Sequence, residues 1–421
     1  MNQPCGPSRT ATGAVEESIG ASPAQPHAPP NWPLGFRAAT IACGIKKTGT
    51  PDLALLAGDG ELTAAAVFTR NLVVAAPITR SRACLEARQG KIRALFVNAG
   101  CANAATGPEG AHRAQRSAEC MAQALGCTAD AVLSNSTGVI GVQLPVERIE
   151  SNTPALVQSL QAGTCESFAR AIMTTDTRPK WSSRIVRFSH DGRDRSCQVT
   201  GVAKGAGMIH PQMATMIAVI TTDAEVSTDV LDRVLRTAVE RSFHRISVDG
   251  DTSTNDSVFA LASGAAGHPP EAALAEAFTA VAQDLAQMVV RDGEGFERGI
   301  EVQVQGARTE ANALTVARTV AMSLLVRTAV TGGDPNWGRI LAAAGRSGVA
   351  FDPARIELRV GGLPLFDGGA PAETDRAALR EAFMQDTVRI CIDLRQGIFA
   401  DTFWSCGLTS RYVELNADYT T

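Results

Sequence analysis

Hydrophobic positions recur along this chain with two different periods. Leu274, Phe278, Val281, Leu285 and Met288 are spaced by three or four residues, which predicts a helix over Glu271 to Val290 with one apolar face. Val230, Leu231, Val234, Leu235, Ala238 and Val239 predict a second helix, and Ser227 ahead of them is a residue type that caps helix starts by accepting a backbone N–H. Ala114 to Leu125 reads as a third. Alternation by two predicts strands in Glu301 to Val304, in Ile356, Leu358 and Val360, and in Val388, Ile390, Ile392 and Leu394. Met216 to Ile220 is a continuous apolar run, as expected of a strand buried on both faces. Ala131 to Leu133 reads as a short strand entering a turn at Asn135, Ser136, Thr137 and Gly138. Both periods in one chain of 421 residues predict a mixed α/β (α+β) architecture with a sizeable core. Neither an internal repeat nor a linker breaks the pattern after residue 35.

The first 34 residues differ. They are rich in Pro, Ala, Ser and Gly, ending in Pro29, Pro30 and Pro33, and predict a disordered tail. The tail lacks the basic start and apolar stretch of a secretion signal and is poor in Arg for a transit peptide, so the cytoplasm is the expected location. A formal net charge of -4 gives no electrostatic footprint for nucleic acid or an anionic membrane, which leaves small molecules as the expected partners. Ten cysteines without a CxxC pair read as reduced thiols, with Cys43, Cys101, Cys391 and Cys406 expected to pack as small hydrophobes. Asp249, Asp251, Ser253 and Asn255 resemble the start of a calcium loop, but Thr254 and Ala260 stand where that loop needs glycine and glutamate. Gly205 and Gly207 begin a dinucleotide fingerprint that stops at His210. No metal or nucleotide cofactor is therefore expected.

The most informative segment is KGAGMIHPQMATMIAVITTD from Lys204. Glycines permit close backbone approach, Pro211 stiffens the connection, and Thr215 falls where the loop becomes a strand. Taken alone this is most simply a glycine loop before a core strand. Other blocks lie in order around it: GFRAATIACGIK from Gly35, FTRNLVVAAP from Phe68, NAGCANAATG from Asn98, NSTGVIG from Asn135 and TTDTRPK from Thr174. After it come SVDGDTSTND from Ser247, DGEG from Asp292, GGDPNWGRI from Gly332 and NADYTT from Asn416. The ordered set, from about Gly35 to the last residue, resembles the ornithine acetyltransferase family, also called the bifunctional glutamate N-acetyltransferases of arginine biosynthesis.

That resemblance implies sandwich-type sheets covered by helices, the fold this family shares with related aminopeptidases. It implies a precursor cut between Ala214 and Thr215 into an α chain (35–214) and a β chain (215–421), with two copies of each assembling together. It gives Thr215 the role of nucleophile and Thr137 and Gly138 that of an oxyanion hole. Substrate contacts would come from Thr174, Lys204, Thr215, Glu294, Asn416 and Thr421. The reaction implied is acetyl transfer from N-acetylornithine to glutamate, with no cofactor and with acetyl-CoA admitted as a second donor.

The residue types suit that chemistry. A threonine hydroxyl needs a base to become a nucleophile. A chain beginning with Thr215 would carry its own, because an α-amino group has a pKa of roughly 7.7–8.0 against about 10.4 for lysine. An amino-acid substrate bears carboxylate, ammonium and amide, which call for a cation, an anion and small hydrogen-bonding groups. His210 and Gln212 before the scissile bond, Met322, Phe296 to Arg298 and Gly407 depart from the family's usual residues, and Asp334 and Arg339 are expected behind the site. The departures keep open an acyltransferase acting on a different amino acid. An amino-terminal-nucleophile peptidase is the rival enzyme, disfavoured because such relatives carry Ser at the cut. A non-catalytic binding protein is disfavoured by the intact Thr137, Gly138, Lys204, Thr215 and Glu294.

Overall fold

The computed structural model describes residues 28–190, 192–210 and 216–418. Eight strands make the first sheet: β1 (Phe36–Ile41), β2 (Leu53–Phe68), β3 (Lys91–Cys101), β4 (Val132–Val139), β5 (Lys180–His190), β6 (Arg193–Lys204), β7 (Ile217–Ala224) and β8 (Ser257–Gly267). They lie in the order β4-β3-β2-β8-β7-β6-β5, and β1 pairs with the first half of the long β2. A second sheet of six strands has the order β12-β11-β10-β13-β9-β14. Its members are β9 (Gly299–Ala307), β10 (Glu357–Val360), β11 (Leu363–Asp367), β12 (Ala370–Pro371), β13 (Thr387–Asp393) and β14 (Phe399–Cys406).

Helices α1 (Ala76–Ala87), α2 (Gly107–Leu125), α3 (Val146–Gln158) and α4 (Glu166–Ala171) accompany the first half of the first sheet. α5 (Thr228–Glu240) and α6 (Glu271–Arg291) follow its later strands. α7 (Glu310–Ala321), α8 (Leu324–Thr331), α9 (Trp337–Gly345), α10 (Arg376–Phe383) and α11 (Ser410–Asp418) are the remaining α-helices among the described residues. The mixed α/β expectation holds, with parallel pairs β3–β4, β7–β8 and β9–β13 among antiparallel ones.

The apolar run of β7 is explained by burial on both faces. Ala218 and Ile220 join a core with α5 and α6, whereas Ile217 and Val219 join another with Phe168 and Ala169 of α4. Leu231, Leu235, Leu274, Phe278, Val281 and Leu285 of the two predicted amphipathic helices are fully buried in the first of these cores. Full burial of such a side chain is worth about 1.5–3 kcal/mol. Ser227 caps α5 as expected, its hydroxyl accepting from the Val230 amide at 3.3 Å.

Three expectations need correction. Asn135 to Gly138 is the body of β4, running parallel to β3. The polar side chains that read as a turn are instead satisfied in the interior: Ser136 Oγ donates to Asn98 Oδ1 at 2.6 Å and Asn135 Nδ2 to the Asn255 carbonyl at 3.2 Å. The tail drawn to residue 34 is too long, because Trp32 is 5% exposed and its ring meets Phe168 edge-on at 5.7 Å, and residues 1–27 lie outside the described part. Of the four cysteines expected in the core, Cys43, Cys101 and Cys406 are buried, but Cys391 on β13 is only half-buried.

Candidate active site

β6 ends at Lys204 and carries that side chain inward: it is 2% exposed, and its Nζ donates to Thr137 Oγ1 on β4 at 3.3 Å. A hydroxyl that accepts from an ammonium keeps its own proton to donate elsewhere. Burial pushes the Lys204 ammonium pKa down, and the Asp176 carboxylate does most to hold it up. Beside Thr137, Gly138 has φ +130, and a Cβ there would lie 2.3 Å from the Gly100 carbonyl carbon and 2.6 Å from the Cys101 amide nitrogen. No residue other than glycine fits this close approach of β4 to β3 without moving backbone.

Asp176 and Asp292 flank a second buried lysine, with Lys180 Nζ 2.7 Å from the first carboxylate and 2.6 Å from the second. Asp176 also accepts the Gly205 amide at 2.6 Å and the Thr174 amide at 3.0 Å, so it joins the residue after Lys204 to the Thr174 loop. Burial acts to raise the Asp176 pKa, but Lys180 and Lys204 prevail and hold it well below the usual carboxylate range. Asp292 accepts the Thr177 amide at 3.1 Å.

The glycine loop is pinned by the SVDGD segment. Asp249 accepts the amides of Met208 and Ile209, fixing Met208 at φ +57, a conformation side chains other than glycine seldom adopt. Burial raises the Asp249 carboxyl to about 6. Gly207 gives Glu294 room, since a Cβ there would lie 2.6 Å from the Glu294 carboxyl carbon. Glu294 in turn accepts from Asn416 Nδ2 at 2.9 Å, which ties α11 to this loop. Thr174, Thr137, Gly138, Lys204, Glu294 and Asn416 are thus tied into one group by these contacts. Ala214, Thr215 and Thr421 lie outside the described residues, as does Gln212. Description resumes at Met216, whose amide donates to Asp256 Oδ1 at 3.1 Å.

A cavity of about 630 Å³ opens beside this group, lined by Thr177, Arg178, Arg291, Glu294, Phe296 and Arg411 among others. Its lining carries both cationic and anionic groups, which suit a zwitterion. A larger cavity of about 960 Å³ lies between α1 and α5 over β2 and shares no lining residue with it.

Asp334 and Arg339 do not back the site: Asp334 accepts from Asn336 Nδ2, and Arg339 donates to the Leu325 carbonyl on α8. Among the departures, a Cβ at Gly407 would lie 2.4 Å from Thr331 Oγ1, so an aspartate there would require Thr331 to move. His210 has Nδ1 3.3 Å from Ser247 Oγ, and burial lowers its pKa. Met322 lies against the Gly250 turn. Asp176, Lys180, Asp292 and Asp256 carry no role expected from sequence, although each stands inside one of the blocks named above, and Asn255 entered only through the calcium-loop resemblance.

Comparison with known proteins places the chain in a family. A model of the ArgJ family matches residues 37–421. The arginine biosynthesis bifunctional protein ArgJ of Gloeobacter violaceus is 48% identical over 396 residues, covering 92% of this chain and 96% of that protein. Its namesake in Thermus thermophilus is 46% identical over 389 residues, covering 92% and 99%. Among solved structures, the arginine biosynthesis bifunctional protein ArgJ of Bacillus halodurans is 36% identical, with a TM-score of 0.45, covering 47% of this chain and 97% of that one. The ornithine acetyltransferase of Mycobacterium tuberculosis, solved with ornithine, is 39% identical with a TM-score of 0.37, covering 42% and 92%. The chain belongs to the ArgJ family.

Proposed function

We propose that this acetyltransferase of arginine biosynthesis is cut between Ala214 and Thr215 and then moves an acetyl group from N-acetylornithine to glutamate through an ester on Thr215. The observation that carries the reading is the meeting of Lys204 Nζ with Thr137 Oγ1 beside the glycine-only backbone at Gly138, at the end of β6 that pairs with the start of β7. Thr215 lies two residues before that start in sequence.

In the cut, the Thr215 hydroxyl attacks the Ala214 carbonyl, the acyl group moves from nitrogen to oxygen, and water opens the ester. The α chain (35–214) and β chain (215–421) stay together because β6 and β7 remain paired, from Val199 opposite Thr222 to Lys204 opposite Ile217. In transfer, the freed α-amine takes the hydroxyl proton as Thr215 attacks the acetyl carbonyl. Ornithine leaves with that proton on its amine, and the glutamate amine then attacks the ester. Both reactions put negative charge on a carbonyl oxygen, and the Thr137 hydroxyl and Gly138 amide are the donors for it. Lys204 turns the Thr137 proton outward, and Thr174, Glu294, Asn416 and Thr421 hold the amino acid.

Acetyl-CoA is the second donor this reading admits, no cofactor takes part, and two copies of each chain assemble in the cytoplasm. Thr137→Ala should slow both the cut and the transfer by on the order of 10²-fold or more, because one donor serves both. Timed gels of newly made protein and initial rates with N-acetylornithine and glutamate check this. Unchanged rates would move the oxyanion donors to other residues.

A further inference from the structure

The two halves of the site come from strands that are not neighbours in the sheet. β4, with Thr137 and Gly138, lies at one edge of the first sheet, while β7 lies on the far side of β3, β2 and β8. Lys204, opposite Ile217, reaches Thr137 from β6, and Ser253 to Ser257 is a second element that reaches both the oxyanion strand and the start of β7. Asn255 Nδ2 donates to the Ser136 carbonyl at 2.8 Å, one peptide before Thr137, and to the Ala102 carbonyl at 2.7 Å. The next residue, Asp256, accepts the Met216 amide at 3.1 Å through Oδ1 and the Ser253 amide at 3.2 Å through Oδ2. Ser257 returns the contact, its amide donating to the Met216 carbonyl at 3.1 Å. Met216 is therefore held on both its polar backbone groups.

The segment is itself fixed. Thr69 donates its amide to the Asp256 carbonyl at 2.9 Å and its hydroxyl to the Ser253 carbonyl at 2.7 Å. Ser253 Oγ accepts the Asn255 amide at 3.0 Å. Asp256 is 0% exposed and Asn255 4%. Burial pushes the Asp256 carboxyl pKa up, against the Ser253 and Met216 amides, the Ser253 side chain and the Lys204 charge, which pull it down, so an aspartate is an unusual choice for a mere loop here.

We propose that Asn255 and Asp256 are positioning residues, a two-residue brace in which one side chain holds the oxyanion strand at Ser136 and the next holds the nucleophile's strand at Met216. The proposal rests on Thr215 being the nucleophile. The brace acts through Thr137 and Thr215 and touches no reacting atom, so it should govern turnover more than substrate affinity. It also accounts for two acidic residues of the SVDGDTSTND block, Asp249 and Asp256, whose carboxylates accept backbone amides.

The test is Asp256→Asn, which keeps the shape but turns an N–H toward the Ser253 or the Met216 amide. In protein that melts cooperatively, the cut should slow at least tenfold. In the fraction that is cut, kcat should fall at least tenfold with KM for N-acetylornithine within about twofold. Ser253→Ala, which removes the hydroxyl holding the Asn255 amide, should act in the same direction but more weakly, and it decides the matter if Asp256→Asn does not fold. Wild-type processing and kcat in the folded variant would overturn the brace. So would a change in KM alone. Thr215→Ala, run alongside, separates the two ideas: if that variant still transfers acetyl groups the nucleophile assignment fails, whereas its inactivity beside an unaffected Asp256→Asn enzyme sinks only the brace.

Discussion

Thr215→Ala protein should run as one uncut polypeptide, and its acetyl exchange between N-acetylornithine and glutamate should fall below detection. One hydroxyl is proposed to do both jobs, as the nucleophile that opens its own peptide bond and the one that later carries acetyl. Losing only the base, or only one oxyanion donor, leaves a weakened enzyme; losing the atom that becomes bonded to acetyl leaves no route. The fold should survive, because the β6–β7 pairing begins at Ile217 and Met216 is held through its backbone. A cooperative melt near that of the wild type, measured on the uncut chain, checks this. An uncut Thr215→Ala chain that still transferred acetyl would place the nucleophile elsewhere.

The second large effect concerns Asp176. Its carboxylate meets the Lys180 ammonium at 2.7 Å with both side chains essentially unexposed, and it also holds the amides of Thr174 and Gly205. Lys180 would keep Asp292, but Lys204 would lose the carboxylate that does most to hold it charged, and breaking a buried pair costs up to about 3–5 kcal/mol. Asp176→Ala should therefore lower stability by an amount of that order in denaturant titrations, and it should free the loop that follows Lys204. The same carboxylate makes the wild type acid-labile. Its folded pKa is depressed, so the unfolded chain binds the extra proton first. Its contribution is fully present above the ordinary carboxylate range near pH 4 and is lost as pH falls towards the folded value. Wild-type stability should drop steeply below pH 4, and Asp176→Ala should flatten that part of the profile. Equal slopes in the two proteins would show that the pair contributes little.

What could be read from the sequence was whatever is local. The period of α6 depends on side chains a few residues apart, and its observed span, Glu271–Arg291, is one residue longer than expected. α2 starts seven residues before the predicted Ala114, because its first turn, Gly107 to Gly110, offers no apolar side chain with which to show a period. The polar stretch Asn135 to Gly138 read as a turn because nothing near it in sequence satisfies it. Its partners are Asn98 and Asn255, the second 120 residues away through the Asn135 amide. The buried ions were hidden for the same reason. Lys180 and Asp292 are 112 residues apart, and either alone reads as a solvated charge. The resemblance located the blocks and implied roles for them, but not the contacts by which Asp176, Asp249 and Asp256 hold those blocks against one another.

The central claim is that acetyl resides on Thr215 between two half-reactions. Its most direct measurement is the intact mass of the two chains after incubation with N-acetylornithine alone and again after glutamate is added. The account predicts a chain beginning TMIAVI that gains one acetyl group, mapped to Thr215, and loses it promptly to glutamate, while the partner chain is unchanged. An increment that decays at the same rate without glutamate would make water the acceptor, and an enzyme that turns over N-acetylornithine and glutamate with no acetyl ever on Thr215 would contradict the account outright.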